Sequence, residues 1–124
     1  MAERLLLDSS AVLAFLQKKT GAAAVAAMLD MAAISAVSRV EILSRLGRFG
    51  GDGTPALNEL GLPVLPFTRA ETDVAAGLLI THRGTLSLGD CACLATAQLR
   101  NRPVLTADRV WATLGLPVEV RLIR

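Results

Sequence analysis

Tyrosine is absent, and aromatic residues make up only 3% of the 124 residues. A base-stacking platform of the RNA-recognition-motif type needs aromatic faces, so this composition argues against one. Histidine occurs once, at His82, near the end of an expected helix where a cation suits the dipole. A Ser-His-Asp hydrolase would depend on it, and no Gly-x-Ser-x-Gly elbow accompanies it. The two cysteines, Cys91 and Cys93, are two apart on an expected helix and point to different sides. That spacing fits neither a redox pair nor a zinc knuckle, and both read as reduced core residues of a cytosolic protein. No P-loop and no Gly-x-Gly-x-x-Gly fingerprint occurs, and the glycines of Gly50–Gly53 follow a helix rather than a strand. No apolar run reaches the ~20 residues that span a bilayer. The most tempting, Ala22–Leu29, is closed by Asp30, while Glu3 and Asp8 interrupt what would be a signal peptide. The expectation is a cytoplasmic protein with no membrane segment.

What is present is a large apolar fraction, 52% hydrophobic against 19% charged, which predicts a real core and excludes disorder. One domain over 1–124 is expected, with about two-thirds of the unfolded surface buried. The net charge of +2 is too small to argue for nucleic acid directly. Eleven of the 13 basic residues are Arg, which grips phosphate bidentately. If Asp8, Glu41, Asp90 and Asp108 cluster, the remaining surface holds 13 bases against seven of the eleven acids. That balance suits a phosphate backbone laid around an acidic pit.

Along the chain, Arg4–Asp8 reads as a short buried strand that stops at an acid, and Ser9-Ser10 caps a helix over Ala11–Gln17. Ala22–Leu29 is Ala-rich and helical, Ala32–Ile34 a strand, and Ser35 caps a helix from about Ala36 to Phe49. Thr54-Pro55 starts a short helix through Leu60, and Pro63–Pro66 is a short strand whose prolines argue for strand ends or an edge rather than the sheet centre. Thr68-x-x-Glu71 opens a helix to about Thr81. Ser87 caps the next, with Cys91, Leu94, Ala95 and Leu99 at helical spacing. Pro103–Thr106 is a strand, Ala107–Leu114 a turn of helix and Val118–Ile123 a last strand. Strands alternating with helices, without a tight hairpin, predict an α/β fold in three layers. A parallel sheet of four to five strands then lies between helices on both faces.

In such sheets ligands bind beyond the carboxyl ends of the strands, where strand order reverses. Asp8 ends the first strand, Asp108 follows the strand Pro103–Thr106, and Glu41 and Asp90 lie in early helical turns. Each also has a local reading. Asp90 completes a capping box with Ser87, and Glu41 pairs with Arg45 at i, i+4. Four acids together would repel, at about 4 kcal/mol per pair 4 Å apart and an effective dielectric of 20, so they require raised pKa values or a cation. Oxygen ligation without histidine points to Mg²⁺ or Mn²⁺. Carboxylates holding a hard cation with waters on it suit phosphodiester hydrolysis. Ser10 and Thr106 stand beside Asp8 and Asp108 in sequence, where they orient ligands or waters, or cap helices.

The segments Leu5–Ser10, Ile34–Glu41, Leu86–Ala95 and Pro103–Asp108 fall in the order and spacing of a PIN domain. The chain resembles the VapC-type toxins of bacterial toxin–antitoxin pairs over essentially its whole length. The resemblance implies a Mg²⁺-dependent endoribonuclease whose acidic quartet is Asp8, Glu41, Asp90 and Asp108. Asp8 and Asp90 would be direct metal ligands, with Thr106 assisting. It also implies a homodimer silenced by a small antitoxin lying over the active-site groove. Cys91 stands where relatives often carry Arg, so no substrate contact carries over from that position. Two other readings are a PIN fold acting mainly as a binding partner, and a receiver-type phosphoacceptor module. The second needs a Lys at a strand end, and the only lysines, Lys18 and Lys19, end the first helix.

Overall fold

A computed structural model describes residues 4–124. Five short strands form one parallel sheet in the order β3-β2-β1-β4-β5. They are β1 (Leu5–Leu7), β2 (Ala32–Ser35), β3 (Val64–Leu65), β4 (Val104–Thr106) and β5 (Val120–Leu122). The helices are α1 (Ser9–Leu16), α2 (Ala22–Ala26), α3 (Ala36–Leu46), α4 (Thr54–Glu59), α5 (Arg69–Thr81) and α6 (Leu88–Leu99). Single 3-10 turns cover Leu29–Met31 and Arg109–Thr113.

Side chains alternate across a strand, and here that alternation divides the core in two. Leu5 and Leu7 pack with Ile34 and Leu105 against α1, Val25, Ile42 and Leu57. Leu6 faces the other way, with Ala33 and Val104, into a core built by α5, α6 and Trp111. β1, fully buried at the sheet centre, therefore reads as an unbroken apolar run rather than an alternating one. The expected three-layer α/β architecture is the one observed, with β3 and its flanking prolines at an edge.

The differences are local. α1 begins at Ser9 with Asp8 as its N-cap, so Ser9 and Ser10 lie in the first turn instead of capping it. α3 stops at Leu46, short of Phe49, whose ring is 95% exposed. α2 ends at Ala26, and β5 is trimmed to three residues. Leu99, expected on the apolar face of α6, is exposed, while every residue from Cys91 to Ala97 is buried. The reason is that α6 packs against α5, α3 and β2 at once, so its middle has no solvent side. Among the described residues no helix is long and apolar enough to cross a membrane.

Candidate active site

The strand order reverses between β1 and β4, since β2 and β3 extend the sheet on one side of β1 and β4 and β5 on the other. A crevice opens at the carboxyl ends of strands at such a switch point. Asp8 follows β1 there, its backbone N–H donating to the Leu105 carbonyl at 2.9 Å. An N-cap aspartate normally accepts from the second or third amide of its helix. Asp8 makes no such capping bond. Its Oδ2 instead accepts from Ser10 Oγ at 2.6 Å and Thr106 Oγ1 at 2.9 Å, and the residue is 4% exposed.

Both hydroxyls are aimed by backbone amides. The Ala107 N–H donates to Ser10 Oγ and the Asp108 N–H to Thr106 Oγ1, each at 3.0 Å. The end of β1, the first turn of α1 and the turn after β4 are thereby joined through one carboxylate. Burial pushes the Asp8 carboxyl above its ordinary value, the two hydroxyl donors pull it back, and the charge of Asp90 raises it again.

Glu41, on α3, is brought to the same place. Its carboxylate lies against Gly89 of α6, where a Cβ would overlap Glu41 Oε2. Burial raises the Glu41 carboxyl most, and Asp8 and Asp90 raise it further, against a hydrogen bond with the Ser9 hydroxyl and a weaker pull from Arg45. The acid therefore belongs to the pocket, and the expected surface pairing with Arg45 is the smallest influence on it. Gly89 and Ser9 escape sequence reasoning. The one signal was a glycine in the first turn of a helix, where it lowers helix propensity and so asks for a packing reason.

Asp90 and Asp108 are placed at the same edge but with their carboxylates engaged. Asp90 Oδ2 accepts from the Ser87 N–H at 2.9 Å while Ser87 Oγ accepts from the Asp90 N–H at 3.1 Å, a complete capping box. Asp108 Oδ1 accepts from the Val110 N–H at 3.0 Å and caps the 3-10 turn. Helix-end amides thus hold two of the four acids. Among the described residues, no three His, Cys, Asp or Glu groups stand together as a finished metal-binding cluster. What the geometry shows is narrower than four acids on one ion: Asp8, Glu41 and Asp90 repel one another, and Asp108 is tied to Asp8 through Thr106.

Beneath the acids lies Cys93, fully buried, its thiol pushed well up by burial and by the charges of Asp8, Glu41 and Asp90. Cys91 is also free and buried. Both are core thiols, as their spacing indicated.

A buried, hydroxyl-clamped carboxylate at the switch point of a parallel α/β sheet, with further acids around it, makes an acidic site there. The family model for the PIN domain matches residues 5–115, and the chain belongs to that family, a family of nucleases. Among solved structures it is similar to a toxin–antitoxin complex from Klebsiella pneumoniae (17% identity, 93% of this chain and 98% of that one, TM-score 0.71). It is also similar to DNA-bound VapBC from Salmonella typhimurium (13% identity, 99% and 100% coverage, TM-score 0.74). FitAcB from Neisseria gonorrhoeae aligns at 24% identity over 94% of this chain and 95% of that one, with a TM-score of 0.68. At these identities the likeness shows the fold. No curated protein matches the chain.

Proposed function

We propose that this chain, acting as one domain over 1–124, is a metal-dependent endoribonuclease. It would be the toxin of a toxin–antitoxin pair, cytoplasmic and homodimeric, and silenced by a cognate antitoxin. The observation that carries the nuclease reading is Asp8: an acid 4% exposed, clamped by Ser10 and Thr106, and charge-coupled to Asp90 and Glu41. The similar toxin–antitoxin complex from Klebsiella pneumoniae supports the biological role.

The donor set fits a hard cation. All four acids offer oxygen only, and the mutual repulsion of three of them is relieved by a divalent ion. Asp8, Glu41, Asp90 and Asp108 would hold Mg²⁺ or Mn²⁺. When bound, such an ion lowers the pKa of an attacking water and shields the charge growing on phosphate. Ser10 and Thr106 fix the Asp8 carboxylate in one orientation, so little order has to be gained when substrate arrives. Glu41, whose carboxyl is raised by burial and by Asp8, is suited to take a proton from the attacking water.

Titrating Mg²⁺ into the pure protein with mixed RNA tests the reading. Cleavage should appear with the metal, vanish in excess EDTA, and be lost in Asp8→Asn and Asp90→Asn proteins that remain folded. Cleavage that persists in EDTA or in both variants sinks it. Growth arrest on expression, relieved by the adjacent antitoxin, tests the toxin role.

A further inference from the structure

Beside the acidic pocket the surface changes sign. Lys18, Lys19, Thr20, Arg109 and Arg124 line an open cleft of about 650 Å³, and no acid is among them. Arg109 directly follows Asp108. Arg124 follows Ile123, whose N–H donates to the carbonyl of Thr106 at 3.0 Å, and the Thr106 hydroxyl clamps Asp8. Chain connectivity thus puts the cleft on the β4–β5 side of the acids, with Arg109 next to Asp108.

It is also a built feature. Arg124 Nη1 donates to the Thr20 carbonyl at 2.9 Å, tying the end of the chain to the turn after α1. Gly21, at φ +98°, lets that turn close on Ile123, where a Cβ would come within 2.8 Å of Cγ1. The turn ends α1 as a Schellman motif, with the Lys19 N–H donating to Ala14 O and the Lys18 N–H to Phe15 O. The left-handed position of such a motif is normally Gly or Asn. α6 follows that rule with Asn101 at φ +52°, but α1 places Lys18 there at φ +55°. A lysine thus holds a strained backbone position that glycine would occupy freely, and its charge joins three others in one cleft.

The geometry points to this cleft as the track that grips the phosphodiester backbone of the substrate strand on one flank of the scissile bond. Four cations with no aromatic face among them recognise phosphates and not bases, so the grip is indifferent to sequence. The inference rests on the nuclease reading for its purpose, yet the binding can be measured without any cleavage.

The test uses labelled single-stranded RNA and Asp8→Asn protein in EDTA, read by fluorescence anisotropy across a salt series. In that background Lys18→Gly with Lys19→Ala should raise Kd at least about tenfold. It should also flatten the log–log salt slope by about 1.4, the value for two lost single-strand phosphate contacts. Arg69→Ala with Arg100→Ala, an α5 variant that removes the same charge from the start of α5 and the far end of α6, away from the acids, should change binding much less. Lys18→Gly alone should weaken binding while leaving the melting temperature equal or higher, because glycine suits that position; a merely structural lysine would show neither change in binding. Equal loss in the α5 variant, an unchanged slope, or no RNA binding by the Asp8→Asn protein overturns the proposal. Wild-type protein that binds RNA in the same way but does not cleave it with Mg²⁺ would count against the nuclease reading alone.

Discussion

Among single residues, Asp8 shows what a short strand and a hydroxyl pair can do to an acid. Both Asp8 and Glu41 have carboxyls raised above their ordinary values, chiefly by burial. In the metal-free protein the native state then holds more protons than the unfolded chain between the ordinary and raised values. Stability must fall as pH rises through that window and stay lower above it. Melting in EDTA should therefore show a gain as pH falls from neutral through the raised values, and Asp8→Asn should melt higher with a flatter pH profile. A wild-type curve that climbs with pH over that range would contradict this assignment. Thr106→Val keeps the shape but removes the hydroxyl that orients Asp8. Cleavage should drop by about 10–100-fold, measured under single turnover at saturating Mg²⁺. Stability should fall by about 1–3 kcal/mol, because the Asp108 N–H loses its acceptor. Asp8 and Thr106 were legible in the sequence because they follow or end a strand, and Ser10 because it stands beside Asp8. The orientation of Glu41 was not: a helical wheel offers Arg45, and only the missing side chain of Gly89, on another helix, shows where the carboxylate goes.

Elements carry the next layer of argument. α3 and α6 cross closely enough that Glu41 occupies the space of a Gly89 side chain. Gly89→Ala should therefore expel the flexible end of Glu41 rather than break the helix, with stability held within about 1 kcal/mol because alanine is the better helix former. Cleavage should fall nearly as far as in Glu41→Ala, and adding Gly89→Ala to Glu41→Ala should cost little more. Additive losses in that double-mutant cycle would show that Gly89 acts by some other route. Element types and order were readable from apolar periodicity and caps such as Ser35, Thr68 and Ser87. Their ends were less so. Periodicity carries α3 on to Phe49, but the helix stops at Leu46, ahead of Gly47 and a segment of glycines that packs little. Leu99 was misplaced because α6 is buried around its whole middle, where a wheel cannot rank one face over another.

At the scale of the whole molecule, the strand order gathers distant residues. A reversal between β1 and β4 places the end of the first strand beside the end of the fourth, so Asp8 meets Thr106 and the turn carrying Asp108. Short strands and helices on both faces then leave one sheet edge where α3 and α6 also begin, which adds Glu41 and Asp90. Repulsion among these acids makes the apo fold poorer than it could be, and any cation held there should bind the folded chain far better than the unfolded one. At a Mg²⁺ concentration about a hundredfold above Kd, linkage gives roughly 2.7 kcal/mol, or about 10 °C in melting temperature for a chain of this length. Asp8→Asn should show almost none of that gain. The Lys18→Gly, Lys19→Ala protein should keep all of it, because the basic cleft meets phosphate and not metal. Scanning calorimetry on the three proteins with and without Mg²⁺ separates the two surfaces. A metal-induced shift of equal size in wild type and Asp8→Asn would place the cation outside the pocket.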